Sequence, residues 1–566
     1  MAAVGKAVQL WNEWELHVLV LLSFMLQVFL FFTGSLRQRS SSSFLRICIW
    51  AAYLGADAVP IYTLGFLSRQ DAPTEGGASG GIPPLAIIWV PFLLVHLGGP
   101  DNITAFAIAD NNLWVRHFLS LGLQVTLALY VVIWKSAGWS DRGLLVSCIL
   151  LFVAGIIKYG ERTMALKNGN LQSQKGITDI DEYMGKEDKD SRVVFHALMS
   201  MPGRKITLLF KESDFRLFVP PSNDEYSQDQ SIMKTLEIEL AMVYDDLYTK
   251  ATIHCRRFGW LASVSMRLLS SRFGLSKKRI LWSNSMGQYD LASALGCDNG
   301  WSSSWKVGVM RMIIRMVHFS GVGKGTILWF SKLPGIKYVE VDKLIIECLS
   351  NEVGSSDKEW SFRNLGPLVK KFKELILANF GFAIMMLHVF TELHLRQYLL
   401  DMDENPVEAI NDIGEVRRLA EVCRKLSRFM LYIKMTYKEI FPTDAAMETI
   451  ISNLLDSAYE KDKDFMSFIE ELGVKDWATE PEVCVETLKE LQRMWIRIIM
   501  YAAGKSEPEM HAAQLARGGE LLTFVWLLML HHKLGDLDRR VELFTPEFVA
   551  GEVNVYYAFN PPVSPA

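Results

Sequence analysis

"LLVHLGGPDNITAFAIADNNLW", residues 93–114, is the stretch on which the fold turns. A nearly unbroken apolar run stops at Gly98-Gly99-Pro100, passes through Asp101-Asn102 and Asp110-Asn111-Asn112, and returns to apolar residues at Leu113-Trp114. Gly and Pro interrupt regular structure, and Asp and Asn side chains satisfy turn backbone locally. A polar turn between two apolar runs reads as the connection between two membrane helices.

Upstream, residues 16–33, "LHVLVLLSFMLQVFLFFT", contain no Asp, Glu, Lys or Arg. A membrane helix needs ~20 such residues to cross ~30 Å of hydrocarbon. Glu13 and Glu15 precede this run and Arg37 and Arg39 follow it. A cleavable signal has basic residues first and a shorter core, so this is an uncleaved first span with the N-terminus outside. Further spans are expected at about 47–67, 82–97, 117–134 and 143–157, separated by the Gly-rich loop "SRQDAPTEGGASGG" and the turn quoted above. Five crossings leave the polar remainder in the cytosol, in agreement with Lys158, Arg162 and Lys167 just past the last span. On that side the sequon Asn102-Ile103-Thr104 escapes glycosylation. The expected membrane is the plasma membrane or the endoplasmic reticulum.

Charge supports the same division. Residues 1–157 carry eight Lys+Arg and eight Asp+Glu, whereas the remaining 409 residues carry 106 charges. A net charge of -4 excludes a general nucleic-acid binder, which needs a basic face. Seven cysteines without a CxxC or regular spacing make neither a zinc framework nor a disulfide scaffold.

Four polar residues lie inside the expected spans: Gln27, Asp57, Gln124 and Thr126. A charge at mid-membrane is costly unless it pairs, protonates or faces the bundle interior. These residues are candidates for lining a solute or proton path, but without an internal repeat of the transporter kind the favoured reading is that they join one helix to another by hydrogen bonds.

The run from His96 to His117 resembles the signature of a plant membrane-protein family known as domain of unknown function 4220. Its candidate residues are His96, Gly98, Gly99, Asp101, Asp110, Asn111, Arg116 and His117. Supporting matches are "AYLGADAVPIYTLGFLS" (52–68), "KYGERTMALK" (158–167), "ELAMVYDDLYTKA" (239–251) and "WSNSMGQYD" (282–290). Near the C-terminus "HAAQLARGGELLTFVWLLMLHH" (511–532) is similar to the closing motif of a companion module, domain of unknown function 594, and contains Arg517, Gly518, Gly519 and Glu520. The resemblance implies a multi-span plant membrane protein and carries no reaction. It departs from the family between "LYTKA" and "WSNSMGQYD". Further apolar spans are usual there, but this chain has only a basic connection.

The polar half has its own signals. Residues 161–232 read as a linker with short strands at "KITLLF" and "FRLFVP". From Lys234 the period becomes helical, with Leu236, Leu240, Val243 and Leu247 on one face. Helical patterns also occupy 366–400, 413–440, 445–458, 484–503 and 510–534, so a membrane-proximal helical region (233–350), a C-terminal helical domain (351–540) and a tail (541–566) are expected. The most enzyme-like motif is Gly321-Val322-Gly323-Lys324-Gly325-Thr326, which resembles the end of a phosphate loop. The position of the opening glycine holds His318, and Arg311 and Arg315 interrupt the preceding run. No metal-ligand set or nucleophile triad is present.

The expected molecule is an all-α membrane protein, five spans followed by a large α-helical cytosolic region, that serves as an interaction or signalling component. It is expected to be no enzyme and to need no cofactor. Its expected partners are the lipid bilayer and unknown proteins that meet the cytosolic region. A small-solute or proton conduit is the alternative, and a nucleotide-binding enzyme the third.

Overall fold

The computed structural model describes residues 2–34, 36–39, 43–69, 84–135, 142–170, 225–251, 253, 284–291, 336–354, 362–404, 413–436, 484–516, 521–532, 534–535, 540–545 and 555–559. The molecule is mostly helical. Its first elements are α1 (Ala2–Thr33), α2 (Leu36–Arg39), α3 (Ser43–Arg69), α4 (Pro84–Leu97), α5 (Ile108–Asn112), α6 (Trp114–Lys135) and α7 (Arg142–Gly169). Of these, α1, α3, α6 and α7 are long and apolar enough to cross a membrane. Every large apolar side chain that is exposed among the described residues lies between Trp14 and Met164. An apolar exterior on these helices alone is what lipid solvation requires.

The third expected span differs from the other four. Helix α4 has 14 residues, a rise of about 21 Å, too short for ~30 Å of hydrocarbon. Its hydropathy is that of a span, but Gly98-Gly99 ends it early. It sits inside the bundle, with Val90, Leu93, Leu94 and Leu97 buried against Leu64, Leu67, Val131 and Tyr159. Gly155 of α7 permits this approach, since an added Cβ would come within 3.0 Å of Leu94.

The polar half forms a second body. It comprises α8 (Glu225–Tyr248), β1 (Ser285–Tyr289), β2 (Ile336–Glu340), α9 (Lys343–Gly354), α10 (Gly366–Ala378), α11 (Phe380–Glu404), α12 (Ile413–Thr436), α13 (Val485–Lys505), α14 (Pro508–Leu515), α15 (Leu521–His531), β3 (Arg540–Glu542) and β4 (Val555–Tyr557). The stripe read from α8 is a core face, with Leu236, Leu240, Val243 and Leu247 all buried. The apolar run Leu521–Leu530 is a buried helix of this body rather than a span.

Three expectations about this half are corrected. The boundary at 350/351 does not divide the core, because Ile345 and Leu349 of α9 pack in one cluster with α11, α12 and α13. Within the region expected to be helical, Ser285–Tyr289 of the 282–290 motif form a strand, paired antiparallel with β2 from Ser285↔Glu340 to Tyr289↔Ile336. Within the expected tail, residues 541–545 and 555–559 pack into the body: β3 and β4 pair in parallel, and Val541, Leu543, Tyr556, Ala558 and Phe559 are buried. The strands expected at 205–210 and 215–220 and the helix expected at 445–458 lie outside the described residues.

A buried carboxylate fixes one junction of this body. Glu490 of α13 accepts backbone N–H bonds from Arg363 (3.0 Å), Asn364 (3.1 Å) and Leu365 (2.9 Å), which pins the three residues that lead into α10. Glu490→Ala is expected to lower stability by about 1.5–3 kcal/mol in a thermal or denaturant unfolding curve.

Candidate functional site

Once α4 ends, its chain continues as non-helical backbone inside the molecule. Helix ends leave carbonyls without intrahelical partners, and in an apolar surround each unsatisfied group costs several kcal/mol. Here five of the carbonyls between His96 and Ala105 are taken up by side chains from five different segments. Gln27 of α1 donates to His96 O (2.9 Å), and Arg162 of α7 donates to Leu97 O (3.0 Å). Lys250, two residues past α8, donates to Gly99 O (3.3 Å). Tyr53 of α3 donates to Thr104 O (3.2 Å), and Arg37 of α2 donates to Ala105 O (2.9 Å).

The charges involved are deeply placed. Arg162 forms a forked ion pair with Asp57, one branch being Nη2 to Oδ2 at 2.9 Å, and its side chain is 4% exposed. Asp57 is thus an interior partner of Arg162 rather than an isolated charge. The Lys250 side chain is fully buried and its ammonium lies 3.2 Å from Asp101 Oδ1. Arg37 is 1% exposed, within 4.8 Å of the ring centres of both Phe106 and Tyr248.

The other residues of the 96–117 motif hold the turn itself. Gly99 has φ +65, where a side chain is strained. Gly98 lies so close to α7 that an added Cβ would sit 2.9 Å from the Lys158 backbone carbon. Asp110 Oδ2 accepts the amides of Phe106 (2.8 Å) and Ala107 (2.9 Å), and Asn111 donates to Leu247 O (2.9 Å). His96 Nδ1 is 2.7 Å from Ser23 Oγ, with its ring beside Phe92 and Phe24. His117 closes the first turn of α6 through its amide, bonded to Leu113 O, while Arg116 is exposed. Asn102 Nδ2 donates to Phe31 O (2.7 Å) and Leu30 O (3.3 Å), so the atom a glycan would occupy is already engaged.

The same loop reaches the polar body. Thr104 N bonds to Tyr248 O (2.8 Å) and Lys250 N to Asp101 O (3.0 Å). Tyr248 donates in turn to Ala512 O of α14 (2.8 Å), and Arg37 Nε to Ala516 O (3.3 Å). Ala105 and Leu166 belong to the body's core cluster, so the hydrophobic contact is continuous across the junction.

The four polar residues of the expected spans do not converge. Gln27 and Asp57 serve the loop, Thr126 bonds back to Gly122 O on its own helix, and Gln124 Oε1 is buried with no partner among the described residues. Arg517, Gly518, Gly519, Glu520, Gly321, Gly323, Lys324 and Thr326 lie outside the described residues. Among the described residues no group of three His, Cys, Asp or Glu side chains could hold a metal. His388 and His511 are buried in the body. Burial pushes His388 and His511 down to about 4, so they are neutral, and His511 Nε2–H donates to Ala503 O (3.0 Å).

Sequence reading missed the roles of Tyr53, Arg162, Tyr248 and Lys250. Their only signal was their place within the motifs at 52–68, 158–167 and 239–251. Burial is the largest influence on Lys250 and lowers its ammonium to about 8, although Asp101 opposes the change. In water it would ionise near ~10.4, so the folded state releases this proton first. Stability from Lys250 is therefore flat below about 8 and rises with pH from there toward ~10.4. The wild-type melting temperature minus that of Lys250→Met is expected to grow over that interval; a constant or falling difference contradicts the assignment.

A family model described as Domain of unknown function (DUF4220) matches residues 50–278, and one described as Protein of unknown function, DUF594, matches residues 482–534. No curated protein and no solved structure matches the chain. Asp57, the 96–112 loop, Arg162 and Lys250 fall within the first match, and Ala512 and Ala516 within the second. The loop junction therefore joins the two matched regions, a DUF4220 match followed by a DUF594 match, as the motifs at 96–117 and 511–532 anticipate.

Proposed function

We propose that the protein is a membrane-anchored helical platform, an interaction or signalling component whose polar body stands on the loop end of a membrane bundle. In this reading the chain crosses five times, counting α4 with its loop as one passage, and the loop end faces the cytosol of a plant cell at the plasma membrane or endoplasmic reticulum. The observation that carries it is the pair of bonds from Arg37 to Ala105 O and Ala516 O. One buried cation ties the turn after α4 to the DUF594 module, so the body is seated on the bundle rather than tethered to it. No residue is given a catalytic role, and protein partners meet the body.

The conduit reading is disfavoured by the Asp57–Arg162 pair, which commits the one carboxylate in the second span. Reconstituted in vesicles, the full chain is expected to pass neither protons nor small solutes. Proximity labelling from a C-terminal tag is expected to mark cytosolic proteins, with a set that changes in Arg37→Ala. Flux that Asp57→Asn abolishes would replace the platform with the conduit.

A further inference from the structure

The start of α6 and the end of α7 meet at the loop end of the bundle, where Lys167 Nζ lies 5.1 Å from the Trp114 ring centre. On this turn Val115, Phe118 and Leu119 are exposed, as is Met164 on α7. Apolar residues in this position face hydrocarbon. Arg116 and Lys167 are exposed beside them, and neither has an ion pair among the described residues. From Lys158 to Lys167, α7 holds three cations and a single carboxylate, Glu161. The nearby carboxylates of the loop and α3 are committed elsewhere: Asp110 to two amides, Asp57 to Arg162 and Asp101 to Lys250.

We infer that this corner is a docking surface for the headgroup phosphate of an anionic phospholipid, with Arg116 and Lys167 flanking an acyl chain that lies on Val115, Phe118 and Leu119. Long cationic side chains run their stems along apolar surface and hold the charge at headgroup level, and each such charge strengthens binding to an anionic surface. Trp114 adds the aromatic body typical of that depth. The inference rests on the reading that α6 and α7 are embedded in lipid with the loop end at the membrane surface.

The test uses the full chain in nanodiscs of phosphatidylcholine doped with phosphatidylserine, with retained lipid counted by native mass spectrometry. Incorporation into the discs reads the membrane assignment separately, so its failure is distinguishable from failure of the site. Wild type is expected to retain phosphatidylserine preferentially. Arg116→Gln with Lys167→Gln is expected to weaken that preference by roughly 5-fold per charge, about 30-fold together, at unchanged melting temperature. Arg116→Lys with Lys167→Arg is expected to keep it. Equal retention of the two lipids, an unaffected double variant, or displacement of the lipid by excess inorganic phosphate would overturn the inference.

Discussion

Asp57→Ala is expected to destabilise the protein by about 3–5 kcal/mol in detergent unfolding, among the largest effects of any single substitution here. The physical reason is the partner left behind. Arg162 is 4% exposed, and without the carboxylate its guanidinium would keep among the described residues only neutral partners, the Leu97 carbonyl and Tyr53. An uncompensated buried cation costs more than the pair itself contributes, so the double variant Asp57→Leu with Arg162→Met is expected to recover much of the loss. A double variant as unstable as Asp57→Ala would show that the pair acts by more than charge compensation.

Arg37→Ala carries the second large expectation, a loss of about 2–5 kcal/mol. It removes donors to two buried carbonyls, Ala105 O and Ala516 O, and empties the space beside Phe106 and Tyr248. Arg37→Lys is expected to rescue only in part, because an ammonium is a compact charge that lacks the guanidinium's planar fork. The reading is protease access to the residues around 516 in the full chain, together with the melting temperature. Arg116→Ala, at an exposed cation, is expected to change stability by no more than about 0.5 kcal/mol.

The membrane half was legible because hydropathy is a property of local composition. The segments read as 16–33, 47–67, 117–134 and 143–157 are helices long enough to span, each extending further than its apolar run. What composition could not separate was α4, whose apolar run equals a span in character but not in length. In the polar half the stripe on α8 was legible because four leucine and valine positions repeat on one face. Strand β1 was not, because Ser285-Met286-Gly287-Gln288-Tyr289 shows no alternation and is buried on nearly every residue. Gly287 belongs there for contact rather than periodicity, since an added Cβ would run into the Tyr432 ring.

The candidate site was legible as a motif and illegible as a mechanism. Asp57 announces itself as a charge among apolar residues, but its partner Arg162 stands 105 residues away in a segment that reads only as a basic flank. Lys250 and Tyr248 likewise meet the loop across more than a hundred positions. Single charged or aromatic residues inside a motif give no spacing rule, so only the folded arrangement reveals that they hold main-chain carbonyls.

Hydrogen exchange across residues 98–112 in the intact, membrane-reconstituted chain is the most direct test of the loop as a buried junction. The amides of Thr104 and Lys250 are bonded across it, to Tyr248 O and Asp101 O, and both should exchange as slowly as the helices they join. In Arg37→Ala that protection should fall in the loop and around residue 516 together. Amides from 98 to 112 that exchange at the rate of an open surface loop in the wild-type chain would contradict a junction between the bundle and its body.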